Sequence, residues 1–155
     1  MDVKIRDFEP GDEVAFRLLN VEWITRYFEL EAKDRDALEA PHRTILERGG
    51  RILFAVHGGE PVGCCSMLPL AVGEFEIGKM AVTERCQRAG IGRKVLEAAI
   101  ERARADGATR LYLETNEILT PARRLYESVG FRPVPPERVT PSPYARANVY
   151  LEMFL

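Results

Sequence analysis

The chain has 155 residues, of which 46% are hydrophobic and 30% are charged. This composition fits a single globular domain over residues 1–155 and excludes an intrinsically disordered chain. The 22 basic and 24 acidic residues give a net charge of −2. A nucleic-acid-binding protein would more often carry a basic excess, so we expect no nucleic-acid partner.

Cysteine and histidine usage indicates neither disulfide bonds nor a metal site. Cys64, Cys65 and Cys86 form no CxxC spacing, and His42 and His57 have no partner at a metal-ligand spacing. We therefore predict a protein without a metal, from a reducing compartment. The N-terminal segment is charged throughout, and no run approaches the roughly 20 apolar residues of a membrane span. These features predict a cytoplasmic protein without membrane association.

The N-terminal part of the chain predicts one strand and two helices. Val3 and Ile5 alternate with polar residues, which indicates a short strand within residues 2–8. Apolar residues at helical spacing predict a helix from Glu13 to Leu30. A polar segment that ends before Pro41 predicts a second, shorter helix.

Three strands follow. Arg51–His57 and Pro61–Leu68 flank a glycine pair that is typical of a hairpin turn. A third strand covers residues 74–82, with Gly78 as a candidate bulge. If no bulge shifts the phase, simple alternation places four residues of this strand on one face: Glu74, Glu76, Gly78 and Met80.

The C-terminal part alternates between helix and strand. The predicted elements are a helix over Arg93–Asp106, a strand over Thr109–Thr115, a helix from Thr120 to Gly130, and strands over Phe131–Val134 and Asn148–Leu155. Three successive strands exclude a purely doubly wound fold, so the order predicts a mixed α+β sheet. The apolar last strand would suit either a homodimer edge or a buried position.

The segment before the helix at Arg93 carries the strongest signal for a ligand. It consists of Gln87, Arg88, Ala89, Gly90, Ile91, Gly92 and Arg93. Two glycines allow a tight turn, so successive N–H groups and the helix N-terminus can point into one concavity that suits a phosphate or diphosphate. A P-loop motif is absent, and Val95 stands where a dinucleotide fingerprint would need its third glycine. A strand-to-helix turn without a ligand is the alternative.

Two successive motifs, the loop before Arg93 and a segment of the last predicted helix, resemble those of a known family. The pattern [QR]xxGxG, entering a helix after the fourth strand, is similar to the coenzyme A diphosphate loop of the GNAT superfamily of N-acetyltransferases. Residues 121–131 (PARRLYESVGF) resemble the fourth-helix motif A-x-x-L-Y-E-x-x-G-F of that superfamily. The matching positions are Ala122, Leu125, Tyr126, Glu127, Gly130 and Phe131.

The resemblance implies a fold and an activity. The fold would be that of an acyl-CoA N-acyltransferase, with a mixed, mostly antiparallel sheet flanked by helices. The activity would be transfer of an acetyl group from acetyl-CoA to a primary amine of a small molecule or amino-acid-like acceptor, by direct attack in a ternary complex. Protein or peptide N-acetylation and a non-catalytic acyl-CoA-binding module are the alternatives.

The resemblance also implies where the coenzyme binds. The fourth and fifth strands would separate, and the backbone of Met80, Ala81 and Val82 would pair with the pantetheine arm and polarise the thioester carbonyl. The Gln87–Arg93 loop would hold the diphosphate. Asn116 is a further candidate for a pantetheine contact, although Leu119 stands where many members of the family have asparagine.

Two residues are candidates for the acid and base of the transfer. Tyr126 matches the family tyrosine whose hydroxyl lies near the thioester sulfur, where an acid would protonate the leaving thiolate. Glu76 stands where some members place a glutamate that acts as the base through water. Glu74 and Glu114 are rival bases. An acyl-cysteine route is disfavoured, since no histidine is well placed beside Cys64 and Cys65.

Overall fold

The computed structural model describes residues 1–155 as a seven-stranded sheet with four α-helices. The strands are β1 (Lys4–Asp7), β2 (Arg51–His57), β3 (Glu60–Ala71), β4 (Glu74–Val82), β5 (Arg110–Thr115), β6 (Arg132–Pro133) and β7 (Val149–Phe154). The helices are α1 (Glu13–Tyr27), α2 (Ala32–Glu39), α3 (Ile91–Ala105) and α4 (Thr120–Val129). Short 3₁₀ turns occur at Glu84–Cys86 and Pro136–Arg138, and a π-helical turn at His42–Leu46. None of the helices is both long and apolar enough to span a membrane.

The sheet order is β1-β2-β3-β4-β5-β7-β6, and every neighbouring pair is antiparallel except β4 and β5. This arrangement confirms the predicted α+β class and the mixed, mostly antiparallel sheet. The predicted order of elements is also confirmed, from the first strand to the last.

Several predicted boundaries were wrong by a few residues. The first helix ends at Tyr27 instead of Leu30, because Phe28 is extended and the chain then turns into the capping box of α2 at Glu31. Helix α3 begins at Ile91, two residues before the predicted start, since Gly90 takes a left-handed φ of +77° that admits the turn immediately before it.

The two faces of the sheet carry separate apolar clusters. The larger one lies under α3 and α4, and its members from the sheet include Leu53, Cys65, Met67, Ile77, Leu111, Leu113 and Leu151. The smaller one lies under α1 and α2 and includes Phe16, Ile24, Leu38, Ile52, Phe54, Cys64 and Ala81. Alternation along β2 and β3 sends successive side chains to these two clusters, which is the packing expected of a sheet covered on both faces.

A β-bulge interrupts β4 next to Gly78. The register passes from the pair Ser66–Gly78 to the pair Cys64–Ala81, so Lys79 and Met80 together stand opposite Cys65. Lys79 has a φ of +47°, which is uncommon for a residue other than glycine.

The bulge reverses the side-chain phase of β4. Met80 packs against the larger cluster under α3 and α4. Glu76 lies on the opposite face, where its charge interacts with Lys33, Lys79 and Glu114. The candidate bulge at Gly78 is therefore found next to that residue, and Glu76 and Met80 do not share a face, because the extra residue shifts the alternation by one position.

Strands β4 and β5 separate after three residue pairs. Their parallel pairing covers Glu74–Arg110, Phe75–Leu111 and Glu76–Tyr112 and stops there. Beyond this point β4 pairs only with β3, and β5 pairs only with β7. The separation implied by the resemblance is confirmed, and it leaves a gap in the middle of the sheet with Glu76 at its closed end.

Candidate active site

The loop before α3 presents a run of backbone N–H groups without acceptors in the protein. From Arg88 to Arg93, none of the backbone N–H groups donates a hydrogen bond, and the first return bond of the helix is from Lys94 N to Gly90 O. Arg88 and Gly90 both have positive φ values, +66° and +77°. Successive N–H groups in such a conformation, followed by a helix N-terminus, form a concavity with positive potential.

Side chains hold this loop in place and leave part of its charge free. Gln87 Nε2 donates to the carbonyl of Val82, which fixes the loop to the end of β4 at 3.1 Å. Arg93 donates to Ser128 Oγ at 2.6 Å, and Arg85 is paired with Glu60. Arg93 also lies 3.7 Å from Glu97, whereas Arg88 and Lys94 form no ion pair. The loop therefore remains electropositive without help from Arg85.

The edge of β4 faces the gap with unpaired backbone. Thr83 N donates to Val62 O of β3, so alternation points the Val82 N–H and C=O away from β3. The Gln87 amide reaches the Val82 carbonyl from that side, which agrees with this orientation. A Cβ on Gly92 would lie 3.3 Å from Leu125 Cδ2 and 3.5 Å from Met80 Cε. The start of α3, helix α4 and the bulged part of β4 therefore converge at the gap.

Tyr126 enters this region from α4. Its ring packs against Phe131 in an edge-to-face contact, and its hydroxyl lies 4.0 Å from Met80 Sδ. Burial, followed by the nearby Cys65 thiol, raises the pKa of the Tyr126 phenol well above its usual value. The hydroxyl is therefore protonated at neutral pH and can act as a proton donor.

Glu76 lies on the other face of the sheet. Burial and then the charge of Glu114 raise the pKa of the Glu76 carboxyl to about 7, which is suited to proton removal near neutral pH. The rival Glu74 is paired with Arg110 at 2.7 Å. Glu114 accepts hydrogen bonds from Tyr112 Oη at 2.8 Å and Ser142 Oγ at 2.6 Å. Of the three carboxylates, only Glu76 has neither an ion pair nor a hydrogen bond within the protein.

Comparison with known proteins agrees with this geometry. Residues 16–131 match the family model described as "Acetyltransferase (GNAT) family". The chain belongs to the GNAT acetyltransferase family.

Individual members of the GNAT family match to different extents. Over 100 residues, 61% of this chain, the sequence is 39% identical to the uncharacterized N-acetyltransferase YsnE of Bacillus subtilis. The match covers 66% of that protein, so the chain spans slightly less than two thirds of this curated relative.

Solved structures show the same fold at lower identity. A GNAT-family acetyltransferase from Staphylococcus aureus Mu50 superposes with a TM-score of 0.88 at 18% identity, over 99% of both chains. The N-acetylglutamate synthase of Neisseria gonorrhoeae, complexed with coenzyme A and L-arginine, gives a TM-score of 0.70 at 21% identity. That superposition covers 99% of this chain and 33% of the synthase.

The structure also shows the surroundings of two other groups of residues named from the sequence, Asn116 and the pair Cys64 and Cys65. Both polar ends of the Asn116 side chain are used internally: Nδ2 donates to Arg146 O at 2.6 Å, and Oδ1 accepts from Ile118 N at 2.9 Å. Burial raises the pKa of the Cys64 and Cys65 thiols, that of Cys65 to about 12. Neither thiol is therefore activated as a nucleophile in this GNAT domain.

Sequence reasoning missed a buried ion cluster beside the gap. Asp34 of α2 is fully buried and accepts hydrogen bonds from Lys79 Nζ at 2.7 Å and from both terminal nitrogens of Arg146 at 2.6 and 2.7 Å. Tyr144 lies between the two cations, each 4.6 Å from its ring centroid. We call Asp34, Lys79, Tyr144 and Arg146 the Asp34 cluster. Its members are far apart in sequence, so no local pattern could predict their contact.

Electrostatics hold the Asp34 cluster in its charged form. Burial alone would raise the pKa of Asp34, but the hydrogen bonds from Arg146 and Lys79 outweigh it and hold the pKa at about 2. The carboxylate is therefore ionised throughout the neutral range. Together with Glu31, which lies 3.5 Å from Arg146, it neutralises the two cations on this side of the sheet.

We expect the substitution Glu76→Gln to change the pH dependence of stability. The folded protein binds a proton at Glu76 more tightly than the unfolded chain, so this residue costs stability as the pH rises from about 4.5 to about 7. The free energy of unfolding of Glu76→Gln should therefore rise relative to wild type over this interval, by about 1–3 kcal/mol. Urea denaturation at a series of pH values measures the difference.

The control for this measurement is Glu114→Gln. Removing the second carboxylate should lower the pKa of Glu76. The stability difference between the double variant Glu76→Gln/Glu114→Gln and the single variant Glu114→Gln should therefore develop at lower pH than the difference between Glu76→Gln and wild type. Parallel stability curves for wild type and Glu76→Gln between pH 4.5 and pH 8 would contradict the raised pKa.

Proposed function

We propose that this GNAT domain transfers the acetyl group of acetyl-CoA to a primary amine of a small molecule. One observation carries the proposal: the unpaired N–H groups of Arg88–Arg93 lie at the end of the strand that borders the gap between β4 and β5. An extended ligand with a diphosphate at one end and a thioester at the other fits this combination. Coenzyme A in the related synthase structure supports the same ligand class.

The coenzyme would contact mainly backbone atoms. The N–H groups of Arg88, Ala89, Gly90, Ile91, Gly92 and Arg93 would bind the diphosphate, while Gln87 holds the loop against β4. Met80, Ala81 and Val82 would pair with the pantetheine arm along the open edge of β4. In this arrangement the Val82 N–H is the best-oriented donor for the thioester carbonyl. We include no contact from Asn116, since its amide is already engaged.

The proposed acid and base approach the gap from opposite faces of the sheet. Glu76, with its pKa near 7, would remove a proton from the ammonium group of the acceptor, directly or through water. The free amine then attacks the thioester carbon, and the backbone donors stabilise the oxyanion that forms. Tyr126 would protonate the sulfur as the carbon–sulfur bond breaks, so that coenzyme A leaves as a thiol. The attacking nitrogen still carries an extra proton, which would return to the Tyr126 phenolate through water and leave a neutral amide.

Charges beside Glu76 favour a cationic acceptor without a carboxylate. Glu76 and Glu114 have no ion-pair partner, whereas Lys79 and Arg146 are both bound to Asp34. Arg26, which would suit an acceptor carboxylate, is paired with Glu84 at the surface. The side of the gap that would admit the acceptor therefore offers two carboxylates without ion pairs, Glu76 and Glu114, against a single cation without one, Lys33. This excess of negative charge favours simple amines and diamines over amino acids.

An assay of thiol release from acetyl-CoA tests the function. The panel contains an alkyl monoamine, an alkyl diamine, free amino acids and short peptides with a free N-terminus. We expect turnover with the amines, highest for the diamine, and much less with amino acids. Preference for peptides would favour a peptide N-acetyltransferase. Binding of coenzyme A by calorimetry with no turnover for any acceptor would favour a non-catalytic module and contradict the proposal.

We expect Tyr126→Phe to reduce kcat about 10- to 1000-fold, because the leaving thiolate loses its proton donor. The dissociation constant of coenzyme A should change little, since the ring and its contact with Phe131 remain. Steady-state kinetics and calorimetry separate the two effects. An unchanged kcat would exclude Tyr126 as the acid.

We expect Gly90→Ala to weaken coenzyme A binding by about tenfold. An alanine side chain disfavours the left-handed φ at this position and so disturbs the concavity. Gly107→Ala is the matched control, because Gly107 follows the other end of the same helix with a φ of +80°, and at both glycines a Cβ would meet no atom within 4 Å. Both variants should lose similar stability, while only Gly90→Ala should lose affinity. Equal affinities in calorimetry would contradict the diphosphate site.

A further inference from the structure

The bulge that opens β4 is attached to the rest of the protein through Lys79. This residue has a φ of +47°, and its side chain is only 10% exposed. Its ammonium donates to Asp34 Oδ1 at 2.7 Å and to Tyr144 Oη at 3.1 Å. Its carbonyl oxygen lies 3.5 Å from Cys64 Sγ, which donates to it. Both ends of the bulged residue are therefore held by neighbours on the α1 and α2 side of the sheet.

Stability alone is a poor explanation for this buried ion pair. Removing an ammonium and a carboxylate from water costs several kcal/mol per ion, and well-packed apolar residues often replace such pairs without loss. A left-handed lysine adds a further cost, because asparagine or glycine adopts that conformation more readily. Buried ion pairs are best known for fixing one register among several, and a bulge is a register choice.

The register fixed here decides which backbone groups border the gap. The bulge lies immediately before Ala81 and Val82, and the Val82 N–H points into the gap only because of the pairing that follows the bulge. If the extra residue moved along the strand, the alternation would change and the C=O and N–H groups at the gap would exchange sides.

We propose that the Asp34–Lys79 ion pair is a positioning device for acyl transfer, which holds the β4 bulge so that the backbone of Met80–Val82 is aligned with the thioester. Asp34 is fully buried and cannot touch a substrate, so its effect must pass through Lys79. Arg146 binds the same carboxylate and Tyr144 Oη accepts from Lys79, so the segment between β6 and β7 is also attached to the bulge. This inference rests on the proposed acetyl transfer for its kinetic part only.

Two substitutions of Lys79 test the inference. Lys79→Asn removes the ion pair but favours a left-handed backbone, and Lys79→Met keeps most of the side-chain length without the charge. We expect both to lower kcat about tenfold or more and to weaken coenzyme A binding by a smaller factor. Misaligned backbone groups lose contacts with the pantetheine arm, but they affect the transition state more than ground-state binding. Asp34→Asn, which retains an acceptor for the helix cap at Glu31, should lower kcat in the same way.

Arg51→Met is the matched control for loss of an ion pair. Arg51 binds Asp106 and Asp7 at 3.0 and 3.1 Å, away from the gap. This variant should lower thermal stability and leave kcat unchanged. Hydrogen exchange of the Ala81 amide, which faces β3 directly after the bulge, adds a readout that needs no turnover. Its exchange should accelerate in both Lys79 variants and in Asp34→Asn, but not in Arg51→Met.

Two outcomes would overturn the inference, and a third separates it from the proposed function. If Lys79→Asn keeps the wild-type kcat and amide exchange, the local backbone preference is sufficient and the ion pair positions nothing. If the Lys79 variants raise the KM for the acceptor with kcat unchanged, Lys79 binds the acceptor instead. If the wild-type protein shows no acyl transfer, the proposed function fails and exchange alone decides: faster exchange in the variants supports positioning by the ion pair, and unchanged exchange overturns it.

Discussion

Backbone hydrogen-bonding groups that the fold leaves without partners are the constraint on which this structure depends. A sheet normally satisfies both edges of an internal strand, yet β4 loses its partner on one side after Glu76. The loop that follows leaves the N–H groups of Arg88–Arg93 without acceptors as well. Unpaired polar backbone is costly inside a protein, so these groups lie along an opening where a ligand can reach them. The fold thereby provides a continuous strip of donors and acceptors from the middle of the sheet to the start of α3.

The gap also connects two surfaces that a complete sheet would keep apart. Tyr126 belongs to the apolar face under α3 and α4, and its pKa is raised there by burial. Glu76 belongs to the opposite face, and its pKa is raised by burial and by Glu114. The proposed acid and the proposed base, on opposite faces, can act on the same reacting atoms only where the strands separate. Incomplete hydration keeps the Tyr126 phenol protonated and lets the Glu76 carboxyl titrate near neutral pH.

The bulge in β4 links this chemistry to the packing of the rest of the chain. It turns Met80 toward Tyr126 and leaves Ala81 in the cluster under α1 and α2. Lys79 at its centre contacts Asp34 of α2 and Tyr144 of the segment before β7. Three parts of the chain that are distant in sequence therefore meet at one residue. A change in any of them could alter the hydrogen-bonding groups at the edge of β4, since a bulge shifts the register in steps of one whole residue.

The sequence by itself determined the order of elements, the glycine-containing loop proposed to bind a diphosphate, and the fourth-helix motif that includes Tyr126. These features are local: helical spacing, strand alternation, paired glycines and a motif within a single helix are all readable over about ten residues. Glu76 could be named as a candidate base from its strand, but choosing it over Glu74 and Glu114 required the ion pair to Arg110 and the hydrogen bonds from Tyr112 and Ser142.

Only the tertiary structure decided the phase of β4, the use of Asn116 as an internal hydrogen-bonding residue and the existence of the Asp34 cluster. The alternation rule assumes a regular strand, and one inserted residue reverses it. The cluster joins Asp34 to Arg146 across more than a hundred residues, and such contacts depend on how helices and loops are placed around the sheet. Local patterns carry no information about that placement, because burial and charge pairing arise between elements and not within them.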